Sequence, residues 1–322
     1  MSEWHVIVVK LGPIEKHANA DTLGITKVFD YPVIVRLGEF HEGDMAVYAP
    51  VDSVVPGDDP RWKFLDGHNR IKAKKLRGVF SMGLLVPAEL GWQVGQDVSN
   101  ELRITKYEPP EPLTTGGEDE HDPGFMPVYT DIEGLRRWPD ILVTGEEVVI
   151  TEKIHGCNGR WVFQNGRLWC ASHHNWKKQS AESIWWQAAE SNKLAESLVK
   201  YPEFGFYGEV YGQVQDLKYG TGKNERRIAM FDVMEIKTKR YLDFSEAHLK
   251  WEYGMPGWVP IIYKGPWKPE LRSLAEGPST VPGANHVREG IVIKPVIERW
   301  DERIGRVILK LHGEGYLTRK EK

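Results

Sequence analysis

KYEPPEPLTTGGEDEHDPGFM, Lys106 to Met126, interrupts a chain of 322 residues. Prolines, glycines and acids replace apolar periodicity here, the composition of a solvated connector rather than of a strand or helix. The stretch carries a formal charge of −5 against −4 for the whole chain, which leaves +1 for the rest. Reading outward from it gives two domains, over 1–105 and 127–322, each long enough to bury a core of its own.

With 42 Lys and Arg against 46 Asp and Glu, no chain-wide basic field exists, so any polyanion must be gripped by local patches. The two cysteines, Cys157 and Cys170, form no CxxC and no Cys/His ladder, which fits a reducing compartment and excludes a structural zinc site. No apolar run follows a basic N-terminus, and nowhere do 18 apolar residues stand in succession, so a cytoplasmic protein is expected. Thirteen tryptophans and 32 glycines suit an aromatic core with many tight turns.

On the N-terminal side, WHVIVVKL (Trp4–Leu11), DYPVIVRL (Asp30–Leu37) and MAVYAPV (Met45–Val51) are β-branched segments between Gly, Asp and Pro turns, and predict a small β-barrel. On the C-terminal side, strand-like runs recur at Glu146–Ile154, Gly205–Gly212, Ile228–Glu235, Glu289–Pro295 and Arg306–Leu311. Between them one helix is predicted over Ser180–Tyr201, with Ser180 as N-cap and Ile184, Trp185, Ala188, Ala189, Leu194 and Leu198 at helical spacing. The fold class is α+β, with no internal repeat.

TEKIHGCN, Thr151 to Asn158, ends a strand on a lysine and enters a His-Gly-x-Asn turn. Lys153 shares a strand face with Val149 and Thr151, and a lysine delivered into a partly apolar cleft can have its pKa lowered and act as a nucleophile. A lone strand-end lysine is ordinarily just solvated. What changes the reading is the ordered set that follows: FYGEVYG around Glu209, MFDVME around Phe231, REGIVIKP around Glu289 and Lys294, and ILKLHGEGYL around Lys310.

This order resembles the motifs of the covalent nucleotidyltransferases, the ATP-dependent ligases and capping enzymes that form a lysine–NMP phosphoramidate. TEKIHG and YTDIEGLRRWPDILVTGEEV (Tyr129–Val148) resemble the RNA ligase branch. The resemblance implies Lys153 as the nucleophile, with Glu152, His155, Asn158, Glu209, Phe231, Lys294 and Lys310 binding the nucleotide and Glu289 holding a hydrated Mg²⁺ or Mn²⁺. Read from chemistry alone, Glu209 offers an acceptor to ribose hydroxyls, Phe231 either stacks on adenine or fills the core, and Lys294 and Lys310 offset phosphate charge. Glu289 and Lys294 are five apart and would face opposite sides of one flat strand, so Glu289 is expected in the turn entering it. Many relatives have a second lysine where this chain has His312, which leaves one α-phosphate contact open. Adjacent His173 and His174 point to opposite sides of a strand and make a poor metal pair.

KHANADTLGITKV (Lys16–Val28) and LRGVFSMGLLVP (Leu76–Pro87) resemble tRNA-binding-type OB-folds. Between them Arg70, Lys72, Lys74, Lys75 and Arg77 form a cationic run with no acid, suited to nucleic acid or, alternatively, to protecting a sheet edge. An OB-like barrel preceding a ligase-type domain of antiparallel sheets with flanking helices resembles the Naegleria-type RNA ligases. DNA ligases and capping enzymes place their OB domain after the last motif. The expectation is an ATP-dependent ligase acting as a monomer on RNA 3′-OH and 5′-phosphate ends in a nicked duplex, with DNA ligation or non-catalytic RNA binding as the rival readings.

Overall fold

The computed structural model describes residues 4–107, 117–251 and 257–319. It is a mixed α+β protein of mostly antiparallel sheets, divided into two compact units. The first comprises Met1–Pro110, Gly134–Pro139 and Leu317–Arg319, and the second Glu111–Glu133, Asp140–Tyr316 and Lys320–Lys322.

In the first unit the strands Ile7–Lys10, Met45–Ala49 and Leu84–Pro87 form one antiparallel sheet, and Glu15–Lys16, Leu23–Val28 and Tyr31–Arg36 another. The run VIVV, Val6 to Val9, is continuously apolar because this sheet is covered on both faces. Val6 and Val8 pack with Trp62, Val98 and Leu102, while Ile7 and Val9 pack with Val28, Val33 and Phe40. The hairpin Lys74–Leu76/Val79–Ser81 turns through Arg77 (φ 47°) and Gly78 (φ 85°), two left-handed residues that match the strand twist. Buried His17 braces that turn. Its Nδ1 accepts from the Asn19 N–H at 2.9 Å, so Nε2 carries the proton and donates to the Leu76 carbonyl at 3.1 Å, while Asn19 Nδ2 donates to the Arg77 carbonyl at 3.0 Å. The two OB-like sequence signatures thus meet in one hydrogen-bonded corner.

Besides a small two-stranded sheet, Trp300–Asp301 with Gly305–Arg306, the second unit holds two large antiparallel sheets. In one, the strands Ile261–Pro266, Glu147–Lys153, Gly290–Pro295 and Leu309–His312 lie side by side in that order; the other orders Trp176–Lys177, Arg167–Ala171, Cys157–Gln164, Phe204–Gly212, Arg226–Glu235 and Arg240–Tyr241. Helices pack on the six-stranded sheet through Trp161, Trp185, Trp186, Leu194 and Leu198. Trp161 is fully buried, and truncating such a side chain to Ala costs about 3–5 kcal/mol. The Trp185 indole also donates to the Asn158 carbonyl at 2.8 Å, which ties the helix to the strand leaving the His-Gly turn.

Two sequence expectations change. The helix predicted over Ser180–Tyr201 is two helices, Ile184–Ser191 and Leu194–Leu198, because Lys193 adopts a left-handed conformation (φ 51°) between them and Ser183, not Ser180, occupies the N-cap position. The connector read over 106–126 is ordered at both ends: Lys106 pairs with Ser53, and Glu118–Glu120 lie along Trp176–Lys178. Met126 is buried, its carbonyl accepting from the Arg160 guanidinium at 3.0 Å. Residues 108–116, which include Glu108 and Glu111, lie outside the described residues. Among the described residues no helix is long and apolar enough to cross a membrane.

Candidate active site

Lys153 ends its strand opposite Gly290, and Gly290 in turn lies opposite His312. Gly290 is required by backbone proximity, since a Cβ there would stand 2.1 Å from the Leu311 carbonyl oxygen. Glu289 precedes the strand, so its direction is not set by strand alternation, and it meets Lys153 with Nζ donating to Oε1 at 2.8 Å. Lys153 Nζ is covered enough that burial alone would lower its pKa, but the Glu289 and Glu209 carboxylates outweigh that and leave it raised. The lysine is therefore a held ammonium here, the reverse of the lowered pKa anticipated from sequence. Burial would likewise raise Glu289, yet Lys153, with His155 and His312 beside it, holds the carboxyl well below the usual range.

The turn after Lys153 adds a second layer. His155 donates Nε2–H to Asp216 at 2.7 Å, which leaves Nδ1 to accept from the Tyr316 hydroxyl at 3.2 Å. Nδ1 also lies 3.6 Å from Glu289 Oε2, beyond hydrogen-bond reach. His312 Nε2 stands 3.5 Å from Glu289 Oε1, so the residue replacing the family's second lysine faces the carboxylate. Glu209, opposite Asn158 in the strand register, is pushed up to about 8 by burial, with Lys153 opposing and Glu289 adding to the shift.

A pocket lies against these groups. It is lined by Glu152, Lys153, Asn158, Glu209, Phe231 and Lys294, together with Val149, Thr151, Tyr129, Ile132, Phe244, Trp258, Val259, Val292 and Ile308. Phe231 is half-buried, with its ring 4.9 Å from that of Tyr129, so it both packs and presents a face. Glu152 points away from Lys153 and is buried. Its carboxylate accepts from Ser279 Oγ at 2.5 Å and from the Thr280 N–H and hydroxyl at 2.6 Å each, which anchors that loop beside the pocket. Lys294 is also buried, its Nζ donating to Asp232 at 2.5 Å within a cluster that includes Glu298, Arg306 and Tyr129. Its charge is balanced before any phosphate arrives. Lys310, opposite Val292, has its pKa lowered by burial and then by Lys153.

Among the described residues no group of three His, Cys, Asp or Glu side chains could hold a metal ion unaided. Glu289 Oε2 is buried without a hydrogen-bond partner among them. One carboxylate with an unused oxygen suits a hard cation that keeps waters and shares phosphate oxygens with a substrate, so the donor set fits Mg²⁺ or Mn²⁺ in that form only.

Against known proteins, the RNA ligase family model matches residues 146–312, just over half of the chain. The chain belongs to the RNA ligase family. An OB-fold domain model matches residues 5–88. Among solved structures, Naegleria gruberi RNA ligase with PPi is similar at 26% identity, covering 98% of each chain with a TM-score of 0.83. Two variants of that ligase with ATP and Mn match at 26% and 25% identity, each covering 98% of both chains with a TM-score of 0.82. No curated protein matches.

In this RNA ligase family member the OB-fold unit carries the cationic run separately. Lys72, Lys74, Lys75 and Arg77 are exposed, whereas Arg70 pairs with Asp52 at 2.8 Å and stacks its guanidinium 3.6 Å over the Tyr107 ring. Sequence reasoning missed Asp216, Tyr316, Tyr129 and Asp232. Asp232 directly follows Phe231 and could have been flagged as a charge inside an apolar strand; Asp216 and Tyr316 lie 61 and 161 positions from His155 and leave no local signal.

Proposed function

We propose that the protein is an ATP-dependent RNA ligase that joins RNA 3′-OH and 5′-phosphate ends, acting in RNA repair. The observation that carries the reading is the pairing of strand-end Lys153 with buried Glu289 beside a pocket lined by Phe231 and Glu209. Relatives solved with ATP and Mn or with PPi support the nucleotide and its leaving group.

Lys153 Nζ, once deprotonated, attacks the α-phosphate of ATP; a P–N bond forms and pyrophosphate leaves. The AMP then passes to an RNA 5′-phosphate, freeing the lysine, and a 3′-OH attacks the activated end and expels AMP. Phe231 offers a face to adenine, Glu209 and Asn158 meet the nucleoside, and His155, fixed by Asp216, orients phosphate oxygens. Lys310, whose pKa burial lowers, offers a donor near the phosphates. A divalent cation held through Glu289 would shield the triphosphate and weaken the carboxylate's hold on the Lys153 proton. We assign nucleic-acid binding to an N-terminal domain over 1–105, through Lys72, Lys74, Lys75 and Arg77, and nucleotidyl transfer to 127–322. A monomer working in the cytoplasm on nicked duplexes is part of the same reading.

The test is incubation with α-labelled ATP and Mn²⁺. The wild type should acquire an acid-labile, alkali-stable label, which Lys153→Ala and Lys153→Arg should both abolish, since a guanidinium stays protonated. Labelling of purified Lys153→Ala would overturn the assignment.

A further inference from the structure

Glu118, Asp119 and Glu120 lie along the edge strand of the six-stranded sheet. The Glu120 N–H donates to the Trp176 carbonyl at 2.8 Å and the Lys178 N–H to the Glu118 carbonyl at 2.9 Å, so the acids add one antiparallel rung centred on Asp119 and Lys177. Every acid side chain of the rung meets a cation of that edge strand, of the residue following it or of the strand beside it. Glu118 pairs with Lys178 at 2.7 Å, Asp119 with Lys177 at 2.5 Å and with the Asn175 amide at 2.9 Å, and Glu120 with Arg167 at 2.5 Å.

Covering a sheet edge accounts for the backbone rung, because any sequence could donate those bonds. It does not account for three successive carboxylates matched to three cations, a pattern of charge that a phosphate backbone shares. We propose that the edge bearing Arg167, Lys177 and Lys178 binds the phosphates of the RNA substrate, and that Glu118, Asp119 and Glu120 occupy it as a stand-in until RNA displaces them. This rests on the RNA ligase reading. Each pair has at least one exposed member, although Lys177 itself is buried, and such pairs hold weakly one by one, so a strand fixed by two backbone bonds and these pairs yields to a polyanion that brings many phosphates.

The full-length variant Glu118→Gln/Asp119→Asn/Glu120→Gln tests this with nicked RNA. Freed of its competitor, the edge should take RNA with a KM about five- to tenfold lower at low salt. The plot of log affinity against log salt should steepen by about two, because phosphates now release counterions instead of exchanging with carboxylates. Labelling of Lys153 from ATP should not change. An unchanged or higher KM with an unchanged salt slope would overturn the inference and leave the acids as edge cover. If the triple variant fails to fold, Arg167→Gln/Lys178→Gln decides: its KM for RNA should rise and its salt slope flatten, and an unchanged KM overturns the proposal. Failure of the wild type to label from ATP would instead sink the ligase reading on which it rests.

Discussion

Glu209→Gln should stabilise the protein at neutral and alkaline pH while weakening nucleotide binding. Glu209 is pushed from an ordinary 4.5 to about 8, chiefly by burial. A raised carboxyl keeps its proton in the folded state after the unfolded chain has lost it, so the folded state binds more protons between pH 4.5 and 8 and its stability falls as pH rises through that window. Each pH unit crossed costs about 1.4 kcal/mol, a ceiling near 5 kcal/mol over the whole window. Glu209 is half-buried and feels both Lys153 and Glu289, so screening brings the expected difference to about 2–4 kcal/mol. Glutamine has the same shape and no proton to lose. Urea unfolding of both proteins at pH 4.5, 6, 7, 8 and 9 should give midpoints that converge at the acid end and separate towards pH 8, the variant being the more stable. Any change in hydrogen bonding adds a pH-independent offset, so only the trend is diagnostic. A gap that stays constant from pH 4.5 to 9 would refute the reasoning, and calorimetric titration with ATP at pH 7 should show weaker binding to the variant.

Glu289→Gln removes the carboxylate that fits a cation and should slow Lys153 labelling by about 10–100-fold, with full wild-type labelling in excess EDTA counting against any metal role. Phe231→Leu keeps apolar volume and loses most stacking, so it should raise the Kd for ATP by on the order of 1–3 kcal/mol, measured by titration, with little change in stability. Reversing Lys72, Lys74 and Lys75 to Glu should weaken RNA binding and flatten its salt dependence by roughly 0.7–0.9 for each phosphate no longer neutralised, while lysine labelling stays intact; filter binding across salt concentrations checks this.

The order of motifs along the chain grouped Lys153, Glu209, Phe231 and Glu289; Lys153 ends its strand opposite the residue after Glu289, while Glu209 and Phe231 sit mid-strand in the six-stranded sheet and line the same pocket as Lys153. Strand parity also located Glu289 in the entering turn. Parity could not tell what waits on the other face. Lys294 carries a phosphate-contact expectation from its motif, but only the fold reveals its ion pair with Asp232 on another strand, and likewise the hydrogen bonds that Ser279 and Thr280 donate to Glu152 from a loop more than a hundred positions away. The single helix over Ser180–Tyr201 was read from spacing that continues across Asn192–Lys193, where one left-handed residue breaks the backbone without disturbing the apolar pattern. Arg70 shows the same limit in the first unit, since only the fold reveals that Asp52 and Tyr107 engage it.

An amine stored as an ammonium is chemically quiet. Acyl phosphates, aldehydes and other electrophiles react with free amines, and the 2.8 Å bond to a buried carboxylate denies them one at Lys153. The protein can therefore wait without nucleotide and keep this amine unspent. Amine-directed reagents should modify surface lysines such as Lys74 well before Lys153, and the order should change only when a ligand draws Glu289 away.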